Sequence, residues 1–367
     1  TTIQDSTIKN CGNGLYVFSN CTIKNNSIHD NTNGITNVEG STTIDGPEMK
    51  IYKNSSGLLV HGGTVTINRC LVYSNTEGIA NGSSVNIYRA DIYDNQNGIR
   101  NIGTMNLAPT KGNIRIGKRT DGNTASTKTH PNKIGIYNFG TLTLQDNATT
   151  DDNEVVVCWN SQYGFYNAGS GNATIKNVDV YNNGILKTKY DKTTAKDECV
   201  YNTTDTCAGI RNEGSGTVNL TNTQIRANQG AGIRTTDGVI TNITNSNVYG
   251  NIGYGVSNKG NLTINSGNFY SNTNSGVVNS GAAKPVLDKK GNLKKTSSNN
   301  IKLTSDGLTI KNGTFHDNGK SGVYNSGRAT IEAGSFYSNK DNGVYNSGTP
   351  ENVVNKAGKT GKNADGS

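Results

Sequence analysis

The sequence predicts an all-β solenoid, a single stack of about thirteen coils built from short strands. Three observations predict it. Thirteen times, from Gly14-Leu15 to Gly343-Val344, a glycine is followed directly by one apolar residue, and neighbouring copies lie 20 to 23 residues apart. Between copies, apolar and polar residues alternate in runs that suit strands. Finally, only 31% of the 367 residues are hydrophobic, with 46 Gly and 5 Pro. A conventional chain of this length would divide into several Leu-rich cores. One thin core of small and β-branched side chains accounts for the deficit, and its strict register argues against the disorder that such polarity otherwise suggests.

The first element of each coil is the glycine-led strand. Its apolar residues are Leu15, Ile35, Leu58, Ile79, Ile99, Ile136, Phe165, Ile210, Ile233, Val256, Val277, Val323 and Val344. The second element reads Val85-Asn86-Ile87 or Leu142-Thr143-Leu144, and the third Ala90-Asp91-Ile92-Tyr93 or Val248-Tyr249. Three strands and three tight turns in 20 residues make a triangular coil. Ten copies place Asn two residues after the apolar residue, from Asn37 to Asn346. Asn tolerates the left-handed conformation that a corner demands, and stacked amides donate and accept along a ladder. The leading glycine suits a corner where a Cβ would clash.

These copies, Gly343-Val344-Tyr345-Asn346-Ser347-Gly348 being the clearest, resemble the repeat of the right-handed parallel β-helix, or pectate-lyase-like, superfamily. The resemblance covers about residues 2–348 and is closest to repetitive, non-enzymatic members in prokaryotic surface adhesins. It implies a right-handed parallel β-helix of about thirteen triangular rungs and a role in binding. Residues 349–367 read as a polar linker.

Four insertions interrupt the repeat, at about 118–133, 147–153, 186–208 and 282–305. The first, third and fourth adjoin the glycine-led strand and are expected to wall one face of the rod. The outward column on that face runs Tyr16, Thr36, Leu59, Ala80, Arg100, Tyr137, Tyr166, Arg211, Arg234, Ser257, Val278, Tyr324 and Tyr345. Its centre, Arg100, Tyr137, Tyr166, Arg211 and Arg234, is the candidate ligand site: rings stack on sugar faces and guanidinium groups fork onto carboxylates. β propensity alone also favours such residues on a sheet. A second column is expected to hold His29, Tyr52, Tyr73, Tyr93, Trp159, Tyr181, Tyr249, Tyr270, His316 and Tyr337, stabilising the stack through ring contacts.

No catalytic constellation is legible. Related lyases hold Ca²⁺ with acidic residues, and related galacturonases cluster aspartates on successive rungs; here Asp151 and Asp152 stand without an acidic neighbour in the next rung. His29, His61, His130 and His316 do not fall at ligand spacing. No enzyme activity, cofactor or metal is expected. The net charge of +8 is dispersed, which disfavours nucleic acid and suits an acidic glycan. No run is apolar enough to span a membrane. Cys21, Cys70 and Cys158 read as inward core thiols, while Cys199 and Cys207 are placed to close a loop disulfide, in keeping with an extracellular setting.

The expectation is therefore a non-enzymatic segment of a cell-surface adhesin, monomeric and part of a larger anchored or secreted protein. Its partner would be an acidic polysaccharide, a mucin-type glycan or another cell surface. A polysaccharide lyase or hydrolase and a plain structural stalk are the alternatives.

Overall fold

The computed structural model describes residues 1–110, 112–117, 131–146, 154–191, 196–201, 207–282 and 306–347, with backbone alone at 185–191 and 196–201. The chain winds through three parallel sheets of thirteen strands each, every third strand joining the same sheet. The first sheet begins at Thr2–Gln4, the second at Thr7–Lys9 and the third at Asn13–Val17. Thirteen coils stacked at ~4.8 Å make a rod of roughly 60 Å. The fold is thus the all-β parallel solenoid that the repeat predicts.

One coil shows how sequence makes this shape. Glu77–Asn81 lies in the third sheet, Ser84–Ile87 in the first and Ala90–Tyr93 in the second. Ile79, Val85, Ile87, Ala90 and Ile92 point inward and are buried. On the next coil Ile99 pairs with Ile79, and Met105 and Leu107 pair with Val85 and Ile87. The register continues along the stack, so that all thirteen residues after the glycines form one column from Leu15 to Val344. Full burial of each aliphatic side chain contributes about 1.5–3 kcal/mol. Burial comes from the neighbouring coils: Ile136 is 0% exposed, whereas Val344, on the last described coil, is 41% exposed.

The leading glycines are required by contact, as expected. A Cβ on Gly135 would lie 2.5 Å from the Gly164 carbonyl oxygen and 2.7 Å from Nδ2 of Asn160. That amide belongs to a second asparagine ladder, which the repeat analysis did not single out. Its Nδ2-to-Oδ1 hydrogen bonds run unbroken from Asn31 to Asn339, for example Asn95 to Asn132 at 3.0 Å, Asn132 to Asn160 at 3.0 Å and Asn160 to Asn183 at 2.9 Å. It fills the corner between the second and third sheets.

The ladder that the sequence does indicate is also present. Asn81 donates to Asn101 at 2.8 Å, Asn101 to Asn138 at 2.8 Å, Asn138 to Asn167 at 2.7 Å and Asn167 to Asn212 at 2.9 Å. Its conformational explanation needs correction. None of these asparagines has positive φ; they end strands and are buried. Left-handed residues stand instead just before the other ladder, at Asp30, Lys53, Ser74, Asp94 and Trp159, and at the corner between the first and second sheets, at Asn25, Asn177, Asn222 and Asn245.

Two further expectations are corrected here. Trp159 is not in the aromatic column: it has φ 56° and turns the corner, while Cys158 pairs with Tyr181 and takes the column position. Cys158 is therefore outward-facing, although buried; its neighbour Val157 supplies the inward side chain. Cys21 and Cys70 are buried free thiols, and burial pushes the Cys70 thiol well up from its ordinary range. Cys207 is fully buried, and the side chain of Cys199 lies outside the described residues.

Candidate functional site

The third sheet sets its outward column by pleat alone. Arg100 pairs with Tyr137, Tyr137 with Tyr166, Tyr166 with Arg211, and Arg211 with Arg234. The five expected residues therefore stand on five successive strands, all half-buried. The insertions adjoin this column through known strands. Residues 118–130 connect Ile114–Gly117 of the second sheet to Ile134–Asn138 of the third. The third insertion holds an antiparallel pair, Ile185–Asp191 with Lys196–Tyr201, ahead of Ala208–Asn212. Whether the insertions wall the face rests largely on residues outside those described, as do the cores of the second and fourth insertions.

The five side chains divide into two chemical groups. Tyr137 stacks on Tyr166 with ring centres 4.8 Å apart, and Phe139 lies against Tyr137 at 4.4 Å. Tyr163 packs on Tyr166 at 5.2 Å and, with Ile134 and Ala208, forms a small buried cluster separate from the main core. This aromatic platform is flanked by Arg100, whose guanidinium lies 5.9 Å from the Phe139 ring centre, and by Arg211.

Of the three arginines in the column, Arg100 and Arg211, which flank the rings, differ in what they already hold. Arg211 donates to Oε2 of Glu213 through Nε at 2.8 Å, and its Nη1 donates to the Tyr163 hydroxyl at 2.7 Å. Its guanidinium also sits 5.3 Å from each of the Tyr163 and Tyr166 ring centres. Tyr166 donates its hydroxyl to the same Glu213 oxygen at 2.7 Å. That hydrogen bond holds the Glu213 carboxyl below its ordinary range, with Arg211 adding to the effect. Burial, and then Glu213, push the Tyr166 phenol well up. An internal carboxylate thus fills the role expected of a ligand, and the view of Arg211 as an open fork is corrected. Arg100 makes no ion pair among the described residues; Glu77 is close enough for its charge to act, and burial raises the Glu77 carboxyl. Asn97 donates to Oε1 of Glu77 at 2.8 Å.

Sequence reasoning missed Phe139, Tyr163 and Glu213. Strand alternation reveals none of them: Phe139 and Glu213 lie just past a ladder asparagine, and Tyr163 has the parity of inward Phe165 yet packs outside the main core against Tyr166.

In comparison with known proteins, no family model matches this chain, and no curated protein or solved structure matches it. The fold and the site geometry therefore carry the functional argument.

The other ring column forms two stacks. His29, Tyr52, Tyr73 and Tyr93 lie 4.6 to 5.1 Å apart, and Tyr249, Tyr270, His316 and Tyr337 lie 4.7 to 5.0 Å apart. Between them, Gly117, Cys158, Tyr181 and Arg226 occupy the column. The faces of these rings are consumed by one another, leaving edges for solvent. Among the described residues, no three His, Cys, Asp or Glu side chains come together to hold a metal ion.

Proposed function

We propose that this chain is a non-enzymatic segment of a cell-surface adhesin of the pectate-lyase-like β-helix type. It acts as a rigid extracellular rod that binds an acidic polysaccharide or mucin-type glycan through the centre of its third sheet. The observation that carries the reading is the platform of Tyr137, Phe139 and Tyr166 beside Arg100, which makes no ion pair among the described residues. A sugar ring laid on Tyr137 and Phe139 would bring its carboxylate to Arg100, while Arg211 and Glu213 hold the platform in place.

Retention on an immobilised polyuronate or sialylated glycan tests this. The parent should bind at low salt and elute as salt rises. Arg100→Ala and Phe139→Ala should each lose about tenfold in affinity with an unchanged melting temperature. If both variants bind as the parent does, the platform is not the site. If no glycan is retained at any salt, the reading fails as a whole and the stalk becomes the better description.

A further inference from the structure

The outer face of the first sheet is chemically unlike the other two. From the strand Ser41–Asp45 to the strand Asn261–Ile264, nine successive strands each project two residues from the middle of this face. Of these eighteen positions, Thr, Ser or Asn occupies all but Ile240. The central column alone is Thr or Asn in every strand from Thr2 to Thr330. A surface built for solubility is roughly 25–35% charged, and this chain is 17% charged overall; none of the eighteen is. The second sheet shows the contrast, with Lys50, Asp91, Arg115 and Asp179 in one outward column.

β propensity explains threonine on a strand but not the exclusion of Lys, Arg and Glu from these two columns, since the next column on the same face holds Asp45 and Lys176. Charged groups are the most costly to strip of water. Their absence is what a surface needs if it is to be covered by an uncharged partner. Hydroxyls and amides remain, each able to donate and accept; Asn242 donates to Asn219 at 2.8 Å and both amides keep further hydrogen-bonding capacity.

The strands of this face stack in one parallel register, position for position, from Thr2 to Thr330. Polar groups recur every ~4.8 Å along the rod and about 6.6 Å across it. The aromatic and arginine anchors typical of protein interfaces are missing from these eighteen positions.

We propose that this face binds the ordered surface of a neutral, hydroxyl-rich polysaccharide, with chains lying flat on the threonine and asparagine rows. This is a second site, with a ligand class opposite to that of the third sheet, and it does not depend on that reading. The probe is microcrystalline cellulose at about 1 M salt, where the screening length falls to about 3 Å and ion-pair binding is suppressed. Depletion of the parent from solution is expected. Thr104→Lys with Thr174→Lys, both at exposed positions, should weaken it about tenfold or more. Asn247→Lys on the second sheet and Arg100→Ala on the third should leave it unchanged, which separates this site from the acidic-glycan site. The proposal is overturned if the parent stays in solution with cellulose and with chitin, or if the double lysine variant is depleted equally. Two further outcomes would assign the face elsewhere and overturn it: a parent dimer in sedimentation that the same variant dissociates, or arrest of ice growth that the variant abolishes.

Discussion

The outer faces of the first and third sheets share one core and one register, yet they carry opposite chemistry. The third sheet gathers Arg100, Arg211, Glu213 and four aromatic rings within a few coils. Two adjoining columns of the first sheet hold Thr, Ser or Asn for nine strands, Ile240 excepted, with the charges of Asp45 and Lys176 standing beside them. The difference teaches that the coil constrains only its inward residues and its corners. Each outward column is then free to be written separately, and specialisation by face is what a solenoid offers over a globular domain.

The comparison breaks most completely if the shared core is broken. Ile136→Asp places an unpartnered carboxylate beside Ile99 and Phe165; a loss of about 4 kcal/mol or more is expected, with both faces lost together. A chemical denaturation midpoint unchanged from the parent would refute the continuous column. Next comes the corner. Gly135→Ala should cost about 1–3 kcal/mol, because the methyl meets the Gly164 carbonyl and the Asn160 amide. Asn160→Ala should cost a similar amount, leaving the Asn132 amide and the Ile116 carbonyl each short of a partner.

Changes on the third face should be felt there alone. Glu213→Gln removes the negative charge from the acceptor shared by Arg211 and Tyr166. Because the Glu213 carboxyl sits below its ordinary range in the folded protein, its contribution is fully present above the ordinary glutamate range. That contribution is lost as pH falls through the depressed value. Tyrosine fluorescence of the platform should therefore change on acidification in the parent and stay level in Glu213→Gln. The group is partly exposed, so the effect on global stability should be small. Smallest of all, Thr174→Lys on the first face should leave the melting temperature within experimental scatter.

Much of this molecule could be read from its residues, and the boundary is physical. The glycine column was legible because a Cβ cannot fit between stacked corners, so every coil repeats the same residue. The ladder from Asn31 to Asn339 was overlooked although it is the more continuous of the two. Its members follow corner residues as varied as Asp30, Lys53, Ser74 and Trp159, and the constant residue hides behind the variable one. Trp159 was misplaced for the same reason: counting aromatics favours it, whereas register favours Cys158. Arg211 was correctly placed on the outward column, but its partner was not seen. Glu213 lies two residues along, past the corner at Asn212, where strand alternation no longer predicts direction.

The most direct test of the account is a salt titration of binding to an acidic glycan, run on the parent and on Arg100→Ala in parallel. The account predicts retention of the parent that falls steadily as salt rises, and about tenfold weaker binding by Arg100→Ala with a shallower salt dependence. Equal binding by the two proteins at every salt concentration would contradict it.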